Sequence, residues 1–99
     1  ITAREDLEQP MVVRREDGSL LVDGLLPTDE LKDLLDKESL AEEETGNYHT
    51  LGGFVITFLK YIPKAGDHFE WGGLRFEVMD MDGTRVDKVL ITQIKEKRQ

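Results

Sequence analysis

The fold of this chain is decided by the stretch 48–94, which begins Tyr-His-Thr-Leu-Gly-Gly-Phe at positions 48–54. Apolar residues then recur at helical spacing and form one continuous face. Thr50 is a suitable N-cap, and Pro63 disfavours helical backbone at the residue before it, so we predict a helix that ends at Ile62. The apolar face comprises Leu51, Phe54, Val55, Phe58, Leu59 and Ile62.

A turn and a meander of three strands follow this helix. The turn reads Tyr-Ile-Pro-Lys-Ala-Gly-Asp at 61–67, and the meander includes Phe-Glu-Trp-Gly-Gly-Leu-Arg-Phe-Glu-Val-Met-Asp-Met-Asp-Gly-Thr-Arg-Val at 69–86. Two-residue Gly-Gly and Asp-Gly turns are typical hairpin connections. We therefore predict strands at 68–71, 74–81 and 85–94, joined at Gly72-Gly73 and Asp82-Gly83.

The alternation of apolar and polar residues fails at two places in the meander. Both faces become apolar at Val78-Met79 and again at Val89-Leu90-Ile91. Either a bulge interrupts the strand there, or these strands lie centrally and are covered on both sides.

The first half of the chain predicts a hairpin and a shorter helix. Strand-like residues at 11–15 and 20–23 flank the turn signal Asp17-Gly18. Thr28 is the predicted N-cap of a helix whose apolar stripe is Leu31, Leu34 and Leu35. Residues 36–47 are acidic and without pattern, so we predict a mobile loop there.

The predicted elements combine into one small α+β domain at 11–95. Their order is β-β-α-α-β-β-β, which indicates a mostly antiparallel sheet of about five strands with two helices packed on it. Residues 1–10 are interpreted as a linker or arm, and residues 96–99 as a charged tail.

Composition excludes several classes of protein. The 99 residues carry a formal charge of −8, which argues against binding to nucleic acid or to anionic lipid. There is no cysteine, so disulfides, thiolate metal sites and a cysteine nucleophile are excluded. No apolar run reaches the roughly 18 residues of a membrane span. Because the chain begins with Ile1 and not with Met, we expect a fragment or a processed product.

Acidic residues form the first candidate site. Glu42, Glu43 and Glu44 could attract Mg²⁺ or Ca²⁺ weakly at the surface. The alternative is a solvated loop, because a contiguous run cannot aim all its carboxylates at one ion. Asp80 and Asp82 resemble the start of a calcium loop, but the glycine and glutamate that such a loop needs are missing, which favours a hairpin turn.

Thr50, Gly52 and Gly53 form the second candidate site, at the start of the longer helix. Free N–H groups at a helix N-terminus can hold an anion or a nucleotide phosphate. The alternative is that the two glycines allow close packing of this helix on the sheet. Trp71, beside the Gly-Gly turn, is a candidate interaction residue, with core or edge cover as its alternative.

The residues supply no recognisable catalytic arrangement. His49 and His68 are too few for a zinc site without cysteine, and no nucleophile elbow surrounds Ser19 or Ser39. We therefore predict that the chain is not an enzyme and carries no catalytic residue.

Four segments in this order resemble the transporter-associated domain of the CorC/HlyC type, over roughly residues 11–95. They are Asp17-Gly-Ser-Leu-Leu-Val-Asp-Gly24, the Leu31–Leu35 helix, the unit from Tyr48-His-Thr-Leu-Gly-Gly-Phe54 through Ile62-Pro63-Lys-Ala-Gly-Asp67, and Leu74-Arg-Phe-Glu-Val78 with Asp82-Gly-Thr-Arg-Val86.

The resemblance implies a regulatory, non-catalytic domain at the C-terminus of a bacterial integral membrane protein linked to magnesium and cobalt efflux or labelled hemolysin-like. Its partners would be the CBS and membrane domains of the same chain, on the cytoplasmic side of the inner membrane, and a homodimer is left open. The fold would be similar to part of an FAD-binding domain of the vanillyl-alcohol oxidase type, which suggests FAD through the fold alone. A small-ligand-binding domain, for FAD or an adenine nucleotide, and a free-standing protein-interaction module are the alternatives.

Overall fold

The computed structural model describes residues 11–43 and 47–94. The predicted arm at 1–10, the tail at 96–99 and Glu44 lie outside these ranges. Within the described ranges the chain forms an α+β domain in which one antiparallel sheet of five strands carries two helices, as the sequence predicts. The elements are β1 (Val12–Arg14), β2 (Leu20–Asp23), α1 (Thr28–Leu35), α2 (Leu51–Leu59), β3 (His68–Trp71), β4 (Leu74–Asp82) and β5 (Arg85–Gln93).

The strands lie in the order β1-β2-β5-β4-β3, and every neighbouring pair is antiparallel. The last strand of the chain therefore returns to the middle of the sheet, between the two hairpins. In this central strand Val89 and Ile91 are buried, whereas Leu90, on the opposite face, is only partly buried. The register of β4 on β5 shifts between Val78 and Asp80, which places the predicted bulge at Met79.

The first hairpin is closed by a short polar turn. The Asp17 carboxylate accepts hydrogen bonds from the backbone N–H of Ser19 at 2.9 Å and from its hydroxyl at 2.6 Å. Two hydrogen bonds to the charged form hold the pKa of Asp17 below its usual value. Gly18 adopts φ 91°, a left-handed conformation that glycine takes without strain. Turn chemistry thus sets the register that pairs Val13 with Leu21.

Each of the two helices differs from prediction at one of its ends. The N-cap of α1 is Pro27 and not Thr28, whose N–H donates to the carbonyl of His49 at 3.0 Å. Helix α2 ends at Leu59 and not at Ile62, because Lys60 adopts a left-handed conformation with φ 68°. Ile62 therefore leaves the apolar face and is 54% exposed.

Phe54 is the centre of the core. Its side chain is fully buried, and five aromatic rings surround it with centroids 5.5 to 6.1 Å away. Most of these contacts are edge-on, the arrangement that aromatic quadrupoles prefer. The packing fixes α2 against the helix-facing side of the sheet. The five rings belong to Tyr48, Phe58, Phe69, Trp71 and Phe76.

Candidate functional site

The N-terminus of α2 is the first place where the sequence predicts a ligand. The Thr50 hydroxyl caps the helix by accepting from the N–H of Gly53 at 3.2 Å. The N–H groups of the two residues between them are also used: that of Leu51 donates to the Leu26 carbonyl at 2.9 Å, and that of Gly52 to the Gly24 carbonyl at 2.8 Å. Three first-turn donors thus have acceptors within the protein.

Close packing accounts for the glycines at this helix start. A Cβ atom at Gly52 would lie 3.2 Å from the Gly24 carbonyl oxygen and 3.3 Å from the Val86 side chain. At Gly53 it would lie 2.8 Å from the Cβ of Tyr48, closer than real Cβ contacts come. The geometry favours the packing alternative, and anion binding at Thr50, Gly52 and Gly53 stays a prediction.

The acidic strap, which we define as residues 36–43, is tied to both helices. The Glu43 carboxylate accepts from Lys32 Nζ of α1 at 2.6 Å and from the Leu40 N–H at 2.9 Å. The Glu42 carboxylate lies 3.0 Å from Lys60 Nζ, at the end of α2. Each carboxylate therefore faces a different ammonium group.

Electrostatics in the strap follows from these pairs. The hydrogen bond from Lys32, followed by that from the Leu40 N–H, holds the pKa of Glu43 below its usual value. The same contact with Glu43 raises the pKa of the Lys32 ammonium. Within residues 11–43 and 47–94, no three His, Asp or Glu side chains gather in a way that could hold a metal ion. Weak cation binding by Glu42 and Glu43 thus has to compete with lysine.

Tyr48 anchors the far end of the strap. Its hydroxyl donates to the carbonyl of Ala41 at 2.6 Å, and its ring lies edge-on to Phe54 with centroids 5.6 Å apart. Burial, followed by the charges of Glu43 and Glu42, raises the pKa of Tyr48 to about 12. The strap is thereby connected to the aromatic core through one side chain.

Trp71 is half-buried and packs edge-on against Phe54, with centroids 5.5 Å apart. Lys37 Nζ lies 5.5 Å from the centroid of the Trp71 ring and donates to the Gly72 carbonyl at 2.8 Å. An open groove of about 560 Å³ runs alongside. Its lining comprises Leu35, Lys37, Gly72, Gly73, Leu74, Gln93 and Ile94.

The position of Trp71 fits the alternative of edge cover for the core. A role for Trp71 in binding a partner stays a prediction. Sequence reasoning did not find the contact of Lys37 with this turn, since the two lie 35 residues apart and no local pattern connects them.

The described helices are too short to cross a membrane, since none in 11–43 or 47–94 combines sufficient length with sufficient apolar character. The side chains of these residues also satisfy their polar atoms well. No buried side-chain nitrogen or oxygen atom in the described part of the chain lacks a hydrogen-bond partner.

Comparison with known proteins identifies a family. The family model CorC_HlyC, described as a transporter associated domain, matches residues 13–95. A UPF0053 protein of Synechocystis sp. is 55% identical over 92 residues, which are 93% of this chain and 20% of that protein. The polyamine export protein of Escherichia coli K12 is 38% identical over 89 residues, 90% of this chain and 20% of that protein.

A solved structure shows the same fold. It is the transporter associated domain of a Xylella fastidiosa hemolysin, in complex with Mg²⁺ and Mn²⁺, and it superposes with a TM-score of 0.75 at 43% identity. The match covers 87% of this chain and all of that one. The chain spans about a fifth of the length of the curated relatives it matches.

Proposed function

This chain belongs to the CorC_HlyC family of transporter associated domains, and on that basis we propose that it is a non-catalytic regulatory domain of a longer membrane protein that exports cations. The observation that carries the proposal is the family match, which spans almost every element of the fold, from Val13 in β1 to the end of β5. In the proposed arrangement the domain lies on the cytoplasmic side of a bacterial inner membrane. There it docks on the CBS and membrane domains of the same polypeptide.

Two classes of exported cation follow from the relatives. The sequence resemblance implies magnesium and cobalt, and a relative at 43% identity was crystallised with Mg²⁺ and Mn²⁺. A relative at 38% identity is named a polyamine export protein. Divalent metals and polyamines share a high positive charge, so we assign the parent protein to the export of polyvalent cations and let the experiment separate the two classes.

The geometry supports a role in docking and regulation more than one in catalysis. Glu42 and Glu43 are each neutralised by a lysine, and the first-turn N–H groups of α2 are bound internally. These residues therefore stabilise the domain's own fold. A partner would then contact the exposed surface of the domain. The effect of the domain on transport would pass through contacts with neighbouring domains.

Deleting residues 11–95 from the full-length protein tests the proposal. Cells lacking the natural gene would produce either the intact or the truncated protein at equal membrane abundance. Efflux of Mg²⁺, Co²⁺, putrescine and spermidine would be measured against the internal load of each cation. We expect the truncated protein to retain efflux of one class while the load that gives half-maximal efflux changes several-fold.

Two results would contradict this proposal. Identical load dependence with and without the domain would show that it does not regulate transport. Complete loss of efflux at every load, with the truncated protein present in the membrane, would show that the domain is part of the transport machinery itself. A matched control carries Leu25→Ser, a change at an exposed residue, and should behave as the intact protein.

A further inference from the structure

Strand β3 forms one free edge of the sheet. Within 11–43 and 47–94, β4 pairs with one side of β3 and no strand pairs with the other. Just before β3, the carbonyl of Asp67 accepts from the N–H of Val78 at 2.8 Å, and such hydrogen-bonded pairs recur at every second residue of an antiparallel ladder. Phe69 therefore bonds to β4, whereas the backbone N–H and C=O groups of His68 and Glu70 point outward from the free edge.

The side chains of β3 alternate between the two faces of the sheet. Phe69 lies on the helix side, where its ring stacks on Phe58 of α2 with centroids 4.4 Å apart and on Phe76 of β4 with centroids 5.0 Å apart. Phe69 is nevertheless only partly buried, so this row of rings reaches the free edge without being covered there. His68 and Glu70 lie on the opposite face and are exposed.

Basic and acidic side chains alternate on that opposite face. In the register of the hairpin, His68 lies opposite Glu77 of β4, and Glu70 lies opposite Arg75. Arg75 and Glu77 also form an ion pair with a separation of 2.9 Å between nitrogen and oxygen. The free edge thus carries one basic and one acidic residue, two positions apart, on either side of Phe69.

We infer that the free edge of β3 pairs with the same edge of a second copy of this chain, so that the sheets of two domains become continuous. An antiparallel pair with its two-fold axis at Phe69 places His68 opposite Glu70 of the second copy, and Glu70 opposite the histidine of that copy. Each of these two pairs would exchange both of its backbone hydrogen bonds, because the outward groups of one copy then face those of the other.

Complementarity of charge identifies a second copy as the occupant of this edge. Across the seam the exposed face would carry Glu77 and His68 of one copy, followed by Glu70 and Arg75 of the other, so that acidic and basic residues alternate without interruption. Opposite charges at directly opposed positions stabilise a strand pair, and like charges destabilise it. On the helix side, Phe69 of each copy would meet that of the other and close the row of rings.

The free edge of β1 lacks this complementarity. There the N–H of Arg15 donates to the carbonyl of Ser19 at 2.9 Å, so by the same alternation the outward backbone groups belong to Val12 and Arg14. Self-pairing would place Arg14 opposite Val12 of a second copy, which offers it no carboxylate. A strand of three residues with an exposed cation is typical of an edge protected against pairing.

Sedimentation equilibrium of the 99-residue chain tests this inference. Two chains of net charge −8 repel each other and the seam is short, so we expect a weak dimer with a dissociation constant between about 10 μM and about 1 mM. His68→Glu places two carboxylates opposite each other, and Glu70→Lys removes the carboxylate that faces His68. Each change should raise the dissociation constant at least about tenfold.

A mixture of these two variants supplies the sharpest readout. In the mixed dimer the introduced glutamate faces the introduced lysine and the native Glu70 faces the native His68, so mixing should restore association. His49→Glu and Glu16→Lys make the same changes of charge at exposed residues away from β3 and should leave the dimer unchanged. A chain that stays monomeric up to about 1 mM would overturn the inference. So would a dimer that the β3 variants weaken no more than the controls do, or a mixture that stays monomeric.

Discussion

Gly24 has the tightest surroundings of the glycines that the structure describes. A Cβ atom at Gly24 would lie 2.0 Å from the Val86 carbonyl oxygen and 2.9 Å from its carbonyl carbon. Both neighbours are backbone atoms of β5, so neither can rotate away. The Gly24 carbonyl also accepts the N–H of Gly52, which means that one residue joins β2, β5 and α2.

Gly24→Ala is therefore expected to destabilise the domain strongly. Overpacking against rigid backbone should cost about 3 kcal/mol or more, which lowers the melting temperature by at least about 10 °C in a domain of this size. Gly83→Ala is the matched control: its φ is 67° and nothing lies within 4 Å, so only about 1 kcal/mol of strain is expected. Thermal unfolding followed by circular dichroism measures both. Equal losses would contradict the proposed close packing.

Burial of Tyr48 predicts how the stability of the domain depends on pH. Its pKa in the folded state is raised from the usual value of 10.0 to about 12, because burial and two nearby glutamates oppose the phenolate. In the unfolded chain the hydroxyl ionises first, so its contribution to stability is complete below pH 10 and is lost as pH rises toward 12. An ultraviolet titration should show a tyrosinate step near pH 12 that Tyr48→Phe removes. If Tyr48→Phe instead removes a tyrosinate step near pH 10, the hydroxyl of Tyr48 is solvated in the folded protein.

At the scale of elements, periodicity predicted each helix and strand, because a stripe of buried residues or a turn with glycine leaves a local signal. The boundaries of the helices were harder to predict. Lys60 adopts the left-handed conformation although lysine has no special preference for it, so no pattern placed the end of α2 at Leu59. Pro27 took the N-cap position because Thr28 pairs its N–H with His49, on a segment 21 residues away that sequence alone does not bring near.

The two threonines at the helix starts allow a direct test of the assignment of the N-caps, in which Thr50 caps α2 and Thr28 caps neither helix. Thr50→Ala removes the hydrogen bond to the Gly53 N–H and should cost about 1 kcal/mol. Thr28→Ala removes a side chain that caps nothing and should change stability by less than about 0.5 kcal/mol. Urea denaturation of both variants measures the free energy of unfolding. A larger loss from Thr28 than from Thr50 would refute the assignment of the caps.

At the scale of the whole molecule, one aromatic core around Phe54 holds the sheet, α2 and the acidic strap together. The sequence predicted most of that core face, and it offered the glycine packing as the alternative to an anion site, since both follow from short-range spacing. It could not predict how the candidate site is used. Glu43 meets Lys32 across 11 residues and Glu42 meets Lys60 across 18, so that weak cation binding there, which stays a prediction, has to compete with lysine.

The proposed function assigns the effect of this domain to its contacts with neighbouring domains. No buried polar side-chain atom in 11–43 or 47–94 lacks a hydrogen-bond partner, while the side chains of Tyr61 and Ile62 are exposed. Under that proposal, the domain changes transport by favouring one arrangement of its neighbours over another. Its influence should therefore appear in the dependence of flux on cation concentration.

Flux in proteoliposomes measures that dependence most directly. The full-length protein and a form lacking residues 11–95 would be purified, reconstituted in the same orientation and at the same density, and assayed across a range of Mg²⁺, Co²⁺ and spermidine concentrations. The account predicts that both forms transport one cation class and that their half-maximal concentrations differ several-fold. Superimposable curves, or a truncated form that is present in the membrane but transports nothing, would contradict it.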